Sequence, residues 1–178
     1  MSTPTGVPAS DELARTVGGM CRLRGPFTLR SGTVADIYFD KYLFEAQPAV
    51  LQAVAARLAE LVATDTEVLA GLELGGVPVA TALSLTTGLP VAFVRKEAKA
   101  YGTAKLAEGA TIERRRVLVV EDVVTTGGQV VISTEQLRAR GALVDSVLCV
   151  IDRTAGDHAV LDAADIRLIA LFDADRLA

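Results

Sequence analysis

The strongest indication of the fold is the segment Val117-Leu118-Val119-Val120-Glu121-Asp122-Val123-Val124-Thr125-Thr126-Gly127-Gly128. Its first four residues are apolar and mostly β-branched, which favours a buried strand of a parallel sheet. Two carboxylates follow, at the strand end where open α/β sheets bind ligands, and we expect both to be exposed there. The Thr-Thr-Gly-Gly turn can direct N–H groups and hydroxyls at an anion, helped by the positive end of the next helix. This arrangement favours a site for a phosphorylated sugar.

Other apolar runs repeat this strand pattern along the chain. They predict strands at residues 68–72, 91–94, 144–151 and 166–171, with helical patterns at residues 48–63, 77–87 and 129–140. Strands that alternate with helices predict an α/β fold with a mainly parallel central sheet flanked by helices. Residues 95–109 are polar and basic and show no clear period.

The N-terminal segment differs from this pattern. Ser10 can begin a helix that runs to about Met20 and is ended by Gly25-Pro26, before short strands at residues 27–29 and 35–39. We expect about residues 1–47 to form a small hood over the strand ends of an α/β core at residues 48–178. The whole chain of 178 residues fits one domain.

Composition excludes several classes of protein. The net charge of −4 argues against general nucleic-acid affinity, and charged residues interrupt every long apolar run that could form a membrane span. The N-terminus lacks the features of a secretory signal, so we expect a cytoplasmic protein whose Cys21 and Cys149 are reduced thiols. The one histidine, His158, is expected in a surface loop, where it cannot form a zinc site alone.

Two further segments could bind an anion. The glycines of residues 71–78 follow a predicted strand and permit close approach to a ligand, although an ordinary strand–helix turn is equally compatible. The basic segment at residues 93–102 could stay open and close over a polyanion, or be a solvated run of charges. No Walker A or G-x-G-x-x-G pattern occurs, so ordinary nucleotide sites lack support.

Together these motifs resemble those of type I phosphoribosyltransferases. The stretch from Val117 to Gly128 is similar to their 5-phosphoribosyl 1-diphosphate signature. The resemblance implies that Glu121 and Asp122 bind the ribose hydroxyls, directly or through hydrated Mg²⁺. It also implies a 5-phosphate site in the loop that comprises Val123, Val124, Thr125, Thr126, Gly127, Gly128 and Gln129.

Three other segments resemble the orotate branch of this family. They are Arg95-Lys96-Glu97-Ala98-Lys99 with Leu106, Glu108 and Gly109 after it, the hood segment Phe27-Thr28-Leu29-Arg30-Ser31-Gly32 with Tyr38-Phe39, and Ile151-Asp152-Arg153. The resemblance spans about Phe27 to Arg153. It implies Mg²⁺-dependent transfer of phosphoribose from 5-phosphoribosyl 1-diphosphate to orotate, in pyrimidine synthesis. It further implies a homodimer whose subunits share their sites.

The resemblance also implies residue roles. Lys99, Glu121 and Asp122 would be catalytic, with Lys99 assisting the departure of diphosphate. The sugar diphosphate would also contact Arg95, Lys96, Tyr101, Gly75 and Arg30, and orotate would contact Thr125, Arg153, Tyr38 and Phe39. The family commonly has lysine, lysine and histidine at the places of Arg30, Gly75 and Tyr101 respectively.

Two alternative functions use the same motifs. A phosphoribosyltransferase for another base would share the phosphate and diphosphate motifs, but it would not explain Arg153 and the hood. A non-catalytic regulator that senses 5-phosphoribosyl 1-diphosphate would need an added binding domain or a broad basic face. Arg114-Arg115-Arg116 is a small basic cluster, for which a solvated turn is the simpler explanation.

Overall fold

A computed structural model describes residues 10–28, 32, 34–97 and 106–177. The strands of these residues are β1 (Arg22–Thr28), β2 (Val34–Phe39), β3 (Val68–Leu72), β4 (Val91–Val94), β5 (Ala107–Gly109), β6 (Val117–Val124), β7 (Ser146–Asp152) and β8 (Arg167–Asp173). The helices are α1 (Ser10–Cys21), α2 (Tyr42–Glu45), α3 (Pro48–Ala59), α4 (Gly76–Thr87), α5 (Gly128–Arg138) and α6 (Ala159–Asp162), with a final 3₁₀ turn at Ala174–Leu177. No helix in the described ranges is long and apolar enough to cross a membrane.

The central sheet has six strands in the order β5-β4-β3-β6-β7-β8. All neighbouring strands are parallel except β5, which pairs antiparallel with β4. Pairing of β3 with β6 sets Gly71 opposite Val120, so the segments that follow these two strands meet at one edge of the sheet. The predicted α/β fold with a mainly parallel sheet is confirmed, and its carboxyl edge collects the candidate site residues.

Side chains of the central strands alternate between two hydrophobic cores. On β6, Leu118 and Val120 belong to the core covered by α1, α3 and α4, whereas Val117 and Val119 face the core that contains Leu137 of α5. This alternation follows from the two-residue period of a strand. Full burial of such a side chain contributes about 1.5–3 kcal/mol, so both faces of β6 hold it in place.

Three expectations about element boundaries were wrong. β6 continues through Val124, so Glu121 and Asp122 lie inside the strand instead of beyond its end. The helix that begins at Pro48 ends at Ala59, because turns take up residues 60–62. Gly25-Pro26 does not end α1, which stops at Cys21, but lies within β1 where the pairing register shifts. The sequence predicts no element in the basic segment, and there residues 107–109 form β5 on the edge of the sheet.

The N-terminal elements form a separate layer. β1 and β2 make an antiparallel hairpin outside the central sheet. Helix α1 buries Leu13 and Val17 in the core, beside Phe44 of α2. The hairpin is thereby joined to the core on both sides, through α1 before it and α2 after it.

Candidate active site

Asp122 is fully buried and paired with a lysine from the hairpin segment. The Nζ atom of Lys41 lies 2.9 Å from Asp122 Oδ1 and 2.7 Å from Oδ2. The Val123 N–H also donates to Oδ1, at 2.6 Å. Burial alone would raise the pKa of Asp122, but the neighbouring Glu121 carboxyl and the Lys41 ammonium hold it below its usual value. Asp122 is therefore a charged carboxylate. Its Oδ1 accepts two hydrogen bonds, whereas its buried Oδ2 is in ion-pair contact with Lys41 but has no hydrogen-bond partner among the described residues.

Two further carboxyl groups lie beside this pair. Glu121 Oε1 accepts the Asp122 N–H at 3.0 Å, and burial raises the pKa of Glu121, with Asp122 adding to the effect. Glu45 of α2 is only 8% exposed, and neither of its carboxyl oxygens has a hydrogen-bond partner among the described residues. Burial and the charge of Asp122 raise the pKa of Glu45 as well. Three acids thus share one ammonium group.

Lys41 and Glu45 were missed in the sequence. Lys41 follows Tyr38-Phe39-Asp40 directly, but the partner that reveals its role is 81 residues away. Glu45 stands in an apolar context, between Phe44 and Ala46, and this burial signal could have marked it as an unusual acid. An acid that is buried without a partner is costly and often has a function.

The loop between β3 and α4 approaches Asp122 closely. A Cβ atom added to Gly75 would lie 1.7 Å from Asp122 Oδ2, so no side chain fits there beside the present carboxylate. A Cβ atom on Gly76 would lie 2.3 Å from the Val120 carbonyl oxygen. Glu73 of the same loop accepts the Lys96 N–H at 3.1 Å. The predicted diphosphate loop therefore lies against both β6 and the start of the basic segment.

The predicted phosphate loop joins β6 to α5. Thr125 and Thr126 are exposed, and Gly127 has a φ of 74° in the left-handed region before α5 begins at Gly128. A Cβ atom on Gly127 would lie 2.8 Å from Leu161 Cγ, so α6 packs directly on this turn. Gln129 Nε2 donates along the helix to Ser133 Oγ at 3.2 Å. An exposed turn at the positive end of a helix suits a phosphate group.

Two of the predicted base-binding residues, Arg153 and Phe39, are in contact. The Arg153 N–H donates to the Val124 carbonyl oxygen at 2.8 Å, which fixes Arg153 beside the end of β6. Its guanidinium carbon lies 5.4 Å from the ring centroid of Phe39. The Tyr38 ring is 5.5 Å from the Phe27 ring, and Tyr38 is partly exposed. The hairpin therefore covers the same edge of the sheet as the phosphate loop.

His158 differs from the expectation of a plain loop residue. Its Nε2 lies 2.8 Å from Oδ2 of Asp152, which is largely buried, and the Thr154 N–H donates to Asp152 Oδ1 at 2.8 Å. Burial alone would raise the pKa of Asp152, but these hydrogen bonds outweigh it and lower the pKa. Asp152 and His158 thus brace the loop that carries Arg153.

The remaining predicted residues divide into two groups. Arg95 and Lys96 begin the basic segment after β4, and the Arg95 Nε is buried without a partner among the described residues. Arg30, Lys99 and Tyr101 lie outside the described residues, so their roles stay predictions.

In the basic cluster at residues 114–116, Arg115 and Arg116 form ion pairs with Glu67 and Asp65, respectively.

The carboxylates of β6 fit Mg²⁺ only if the substrate and water supply the other oxygen ligands. Within the described ranges, no group of three or more His, Cys, Asp or Glu side chains could hold a metal ion. Mg²⁺ is commonly held by one or two carboxylates, with substrate phosphates and water supplying the other oxygens. Glu121 and Asp122 provide such carboxylates beside the phosphate loop.

Comparison with known proteins identifies the family. The phosphoribosyl transferase domain matches residues 43–168. An orotate phosphoribosyltransferase from a Nocardioides species is 56% identical over 151 residues, which is 84% of each chain. The chain belongs to the orotate phosphoribosyltransferase family. The family match includes β6, the phosphate loop and Arg153.

Solved structures of orotate phosphoribosyltransferases have the same fold. The Mycobacterium tuberculosis enzyme in complex with Fe(III) dicitrate has a TM-score of 0.87 and 34% identity, with 96% of this chain and 99% of that chain covered. The same enzyme in complex with 5-phospho-α-D-ribosyl 1-diphosphate has a TM-score of 0.81 and 31% identity, with the same coverage. The predicted type I phosphoribosyltransferase fold is therefore confirmed.

Proposed function

We propose that this chain is an orotate phosphoribosyltransferase, which transfers 5-phosphoribose from 5-phosphoribosyl 1-diphosphate to N1 of orotate. The products are orotidine 5′-monophosphate and diphosphate, in the synthesis of pyrimidine nucleotides. One observation carries the proposal: the acids of β6, the turn before α5 and the Arg153–Phe39 contact all lie at one edge of the sheet. These features supply groups for ribose, phosphate and a carboxylated base, respectively.

The sugar occupies the end of β6 in this proposal. Glu121 and Asp122 orient the ribose hydroxyls, because carboxylates accept hydrogen bonds from them. The turn at residues 125–128 and the N-terminus of α5 hold the 5-phosphate. Mg²⁺, held by these acids and by the diphosphate, would neutralise charge on the leaving group.

Cations of the basic segment bind the leaving group. As the C1–O bond breaks, the ribose gains positive charge and the diphosphate gains negative charge. Arg95, Lys96 and Lys99 supply positive charge to the diphosphate, and Tyr101 a hydrogen bond. Lys99 is the main catalytic cation, and the segment excludes water from the activated sugar.

The base is oriented by the hairpin and by the loop after β7. Arg153 pairs its planar guanidinium with the orotate carboxylate through two parallel hydrogen bonds. Phe39, whose ring lies next to the Arg153 guanidinium, and Tyr38 cover the base, and the Thr125 hydroxyl contacts orotate from the side of the phosphate loop. A base without the carboxylate would leave Arg153 without its partner.

We further propose a cytoplasmic homodimer with sites shared between subunits, and residues 1–47 as a hood on a core at residues 48–178. Mixing Lys99→Ala subunits with Asp122→Asn subunits tests the sharing. If Lys99 acts in the partner's site, hybrid dimers recover activity, because one of their two sites contains both wild-type residues. Mixtures that remain as inactive as either variant alone would contradict shared sites.

The test of the reaction is the loss of orotate absorbance after addition of 5-phosphoribosyl 1-diphosphate, with and without Mg²⁺. A decrease that requires Mg²⁺ is the expected result. The same assay with uracil and with purine bases measures base selectivity. Turnover of another base with none of orotate would favour a different phosphoribosyltransferase, and binding without turnover of any base would favour a sensor.

A further inference from the structure

We propose that Lys41 is a substrate-binding residue, which leaves Asp122 when the sugar diphosphate arrives and then pairs with the diphosphate. This inference rests on the proposed function, because that function places ribose at Asp122 and diphosphate at the loop after β3. Lys41 would thus be a counter-ion for the buried acid before binding and a counter-ion for the substrate afterwards.

Competition at Asp122 is the first step of the argument. Both carboxylate oxygens lie within 2.9 Å of Lys41 Nζ, and Oδ1 also accepts the Val123 N–H. Ribose hydroxyls can bind this carboxylate only if the ammonium gives up at least part of its contact. The Lys41 side chain is one-third exposed, so it is not enclosed by protein and can change its conformation.

The position of Gly75 gives the destination of the ammonium. Because a Cβ atom on Gly75 would overlap Asp122 Oδ2, this loop cannot present its own side chain from that position. Lys41 Nζ contacts the same oxygen atom, so the ammonium lies next to the loop from the hairpin side. Lys41, between β2 and α2, therefore supplies a cation at a place where Gly75 of the loop has none.

Local charge makes this cation necessary. Glu45 and Glu121 lie beside Asp122, at the place that the proposed function gives to the sugar diphosphate, and Lys41 is in contact with Asp122. The charged Asp122 carboxylate repels an approaching polyanion unless a positive charge lies between them. A purely structural Lys41–Asp122 pair would instead stay closed and hinder ribose binding.

The test compares ligands that share ribose but differ in diphosphate. Binding of 5-phosphoribosyl 1-diphosphate, inorganic diphosphate and ribose 5-phosphate is measured by calorimetry at saturating Mg²⁺ for wild type, Lys41→Gln and Lys41→Arg. Glutamine still donates to Asp122 and protects the fold, but it has no charge, whereas arginine keeps the charge. Arg115→Gln, which removes a cation from the Arg115–Glu67 ion pair, is the matched control.

We expect Lys41→Gln to weaken the binding of both diphosphate ligands by about tenfold or more, since a charge-assisted contact is lost. Ribose 5-phosphate should bind equally well or more tightly, because the competitor for Asp122 is weaker. The dissociation constants of Lys41→Arg for all three ligands should stay within about threefold of the wild-type values, and those of Arg115→Gln should match wild type.

Equal losses for all three ligands, or no loss in Lys41→Gln, would refute the proposal and leave Lys41 a structural counter-ion. A loss of diphosphate binding in Arg115→Gln as large as that in Lys41→Gln would refute it too. Because no base is present, the assay separates this inference from the reaction. A wild type that binds 5-phosphoribosyl 1-diphosphate but never consumes orotate refutes the proposed function alone.

Discussion

The guanidinium of Arg153 lies over the ring of Phe39, with 5.4 Å between the guanidinium carbon and the ring centroid. Arg153 follows β7 of the core, and Phe39 ends β2 of the hairpin. The contact therefore joins the hairpin to the carboxyl edge of the sheet. A flat cation held against an aromatic ring is pre-oriented for a planar, negatively charged base.

Replacing this cation should affect the base more than the sugar. Arg153→Lys keeps the charge but loses the planar fork, so kcat/KM for orotate should fall about tenfold or more. The KM for 5-phosphoribosyl 1-diphosphate should change by less than about twofold. Steady-state kinetics with each substrate varied in turn measures both values.

Arg167→Lys is the matched control, since Arg167 is an exposed arginine at the opposite edge of the sheet. It should behave as wild type. An Arg153→Lys enzyme with unchanged kinetics for orotate would exclude Arg153 from the base site.

A methyl group at Gly75 should disturb Asp122. The backbone at Gly75 is helical, with φ of −67°, and tolerates alanine, so any effect of Gly75→Ala comes from the contact with Asp122 Oδ2. Displacing a packed group of this kind costs about 1–3 kcal/mol, and activity should fall with it. Urea denaturation and turnover measure the two effects.

Gly19→Ala serves as its comparison, because a Cβ atom on Gly19 meets nothing within 4 Å and the residue lies in a helix. It should not lower stability, since alanine favours a helix more than glycine. Wild-type stability and turnover in Gly75→Ala would mean that Asp122 can move without consequence.

The turn before α5 should be sensitive to substitution for two separate reasons. Gly127→Ala places a side chain at a left-handed backbone position and against Leu161. Gly32→Ala also places a side chain at a left-handed position, but its Cβ atom meets nothing within 4 Å. Left-handed backbone costs an alanine about 1–2 kcal/mol, so Gly127→Ala should exceed Gly32→Ala in loss of unfolding free energy. Equal losses of unfolding free energy in the two variants would show that the Leu161 side chain moves aside without an energetic cost.

The Asp152–His158 pair should give a pH dependence of known sign. Since the pKa of Asp152 is lowered in the folded protein, its contribution to stability is present above the unfolded value of about 3.9. It is lost as pH falls through the folded pKa. Asp152→Asn should therefore destabilise the protein by about 1–3 kcal/mol at pH 7 and progressively less below about pH 4.

Urea unfolding of both proteins across this range measures the difference. A difference that stays constant down to pH 3 would mean that the ionisation of Asp152 does not stabilise the fold. The KM for orotate provides a second readout, because the same pair braces the loop that carries Arg153.

Both cysteines should resist thiol reagents in the native protein. Cys21 and Cys149 are free and buried, and burial raises the pKa of Cys21 to about 11 and raises that of Cys149 further. A colorimetric disulfide reagent at pH 8 should label neither thiol until urea is added, when it should label both. Rapid labelling of the native protein would contradict this burial.

Some features were predictable because they depend on local sequence. The strands Val68–Leu72 and Val91–Val94 occur where apolar runs predicted them, since burial on both faces demands such runs. Helix α5 begins next to the predicted Thr-Thr-Gly-Gly turn. The predicted end of β6 was wrong by four residues, because apolar Val123 and Val124 extend the strand beyond Glu121 and Asp122.

The α/β class, the order of the motifs and the family that they resemble could thus be inferred from the amino-acid sequence. The contacts between side chains that are distant in the sequence became visible in the folded structure. Lys41 and Asp122 are 81 residues apart, and Gly75 lies against the same carboxylate from a third segment. Such contacts depend on how the hairpin and the β3–α4 loop pack over the sheet edge. Local periodicity carries no information about that packing, since it reports only which face of an element is buried.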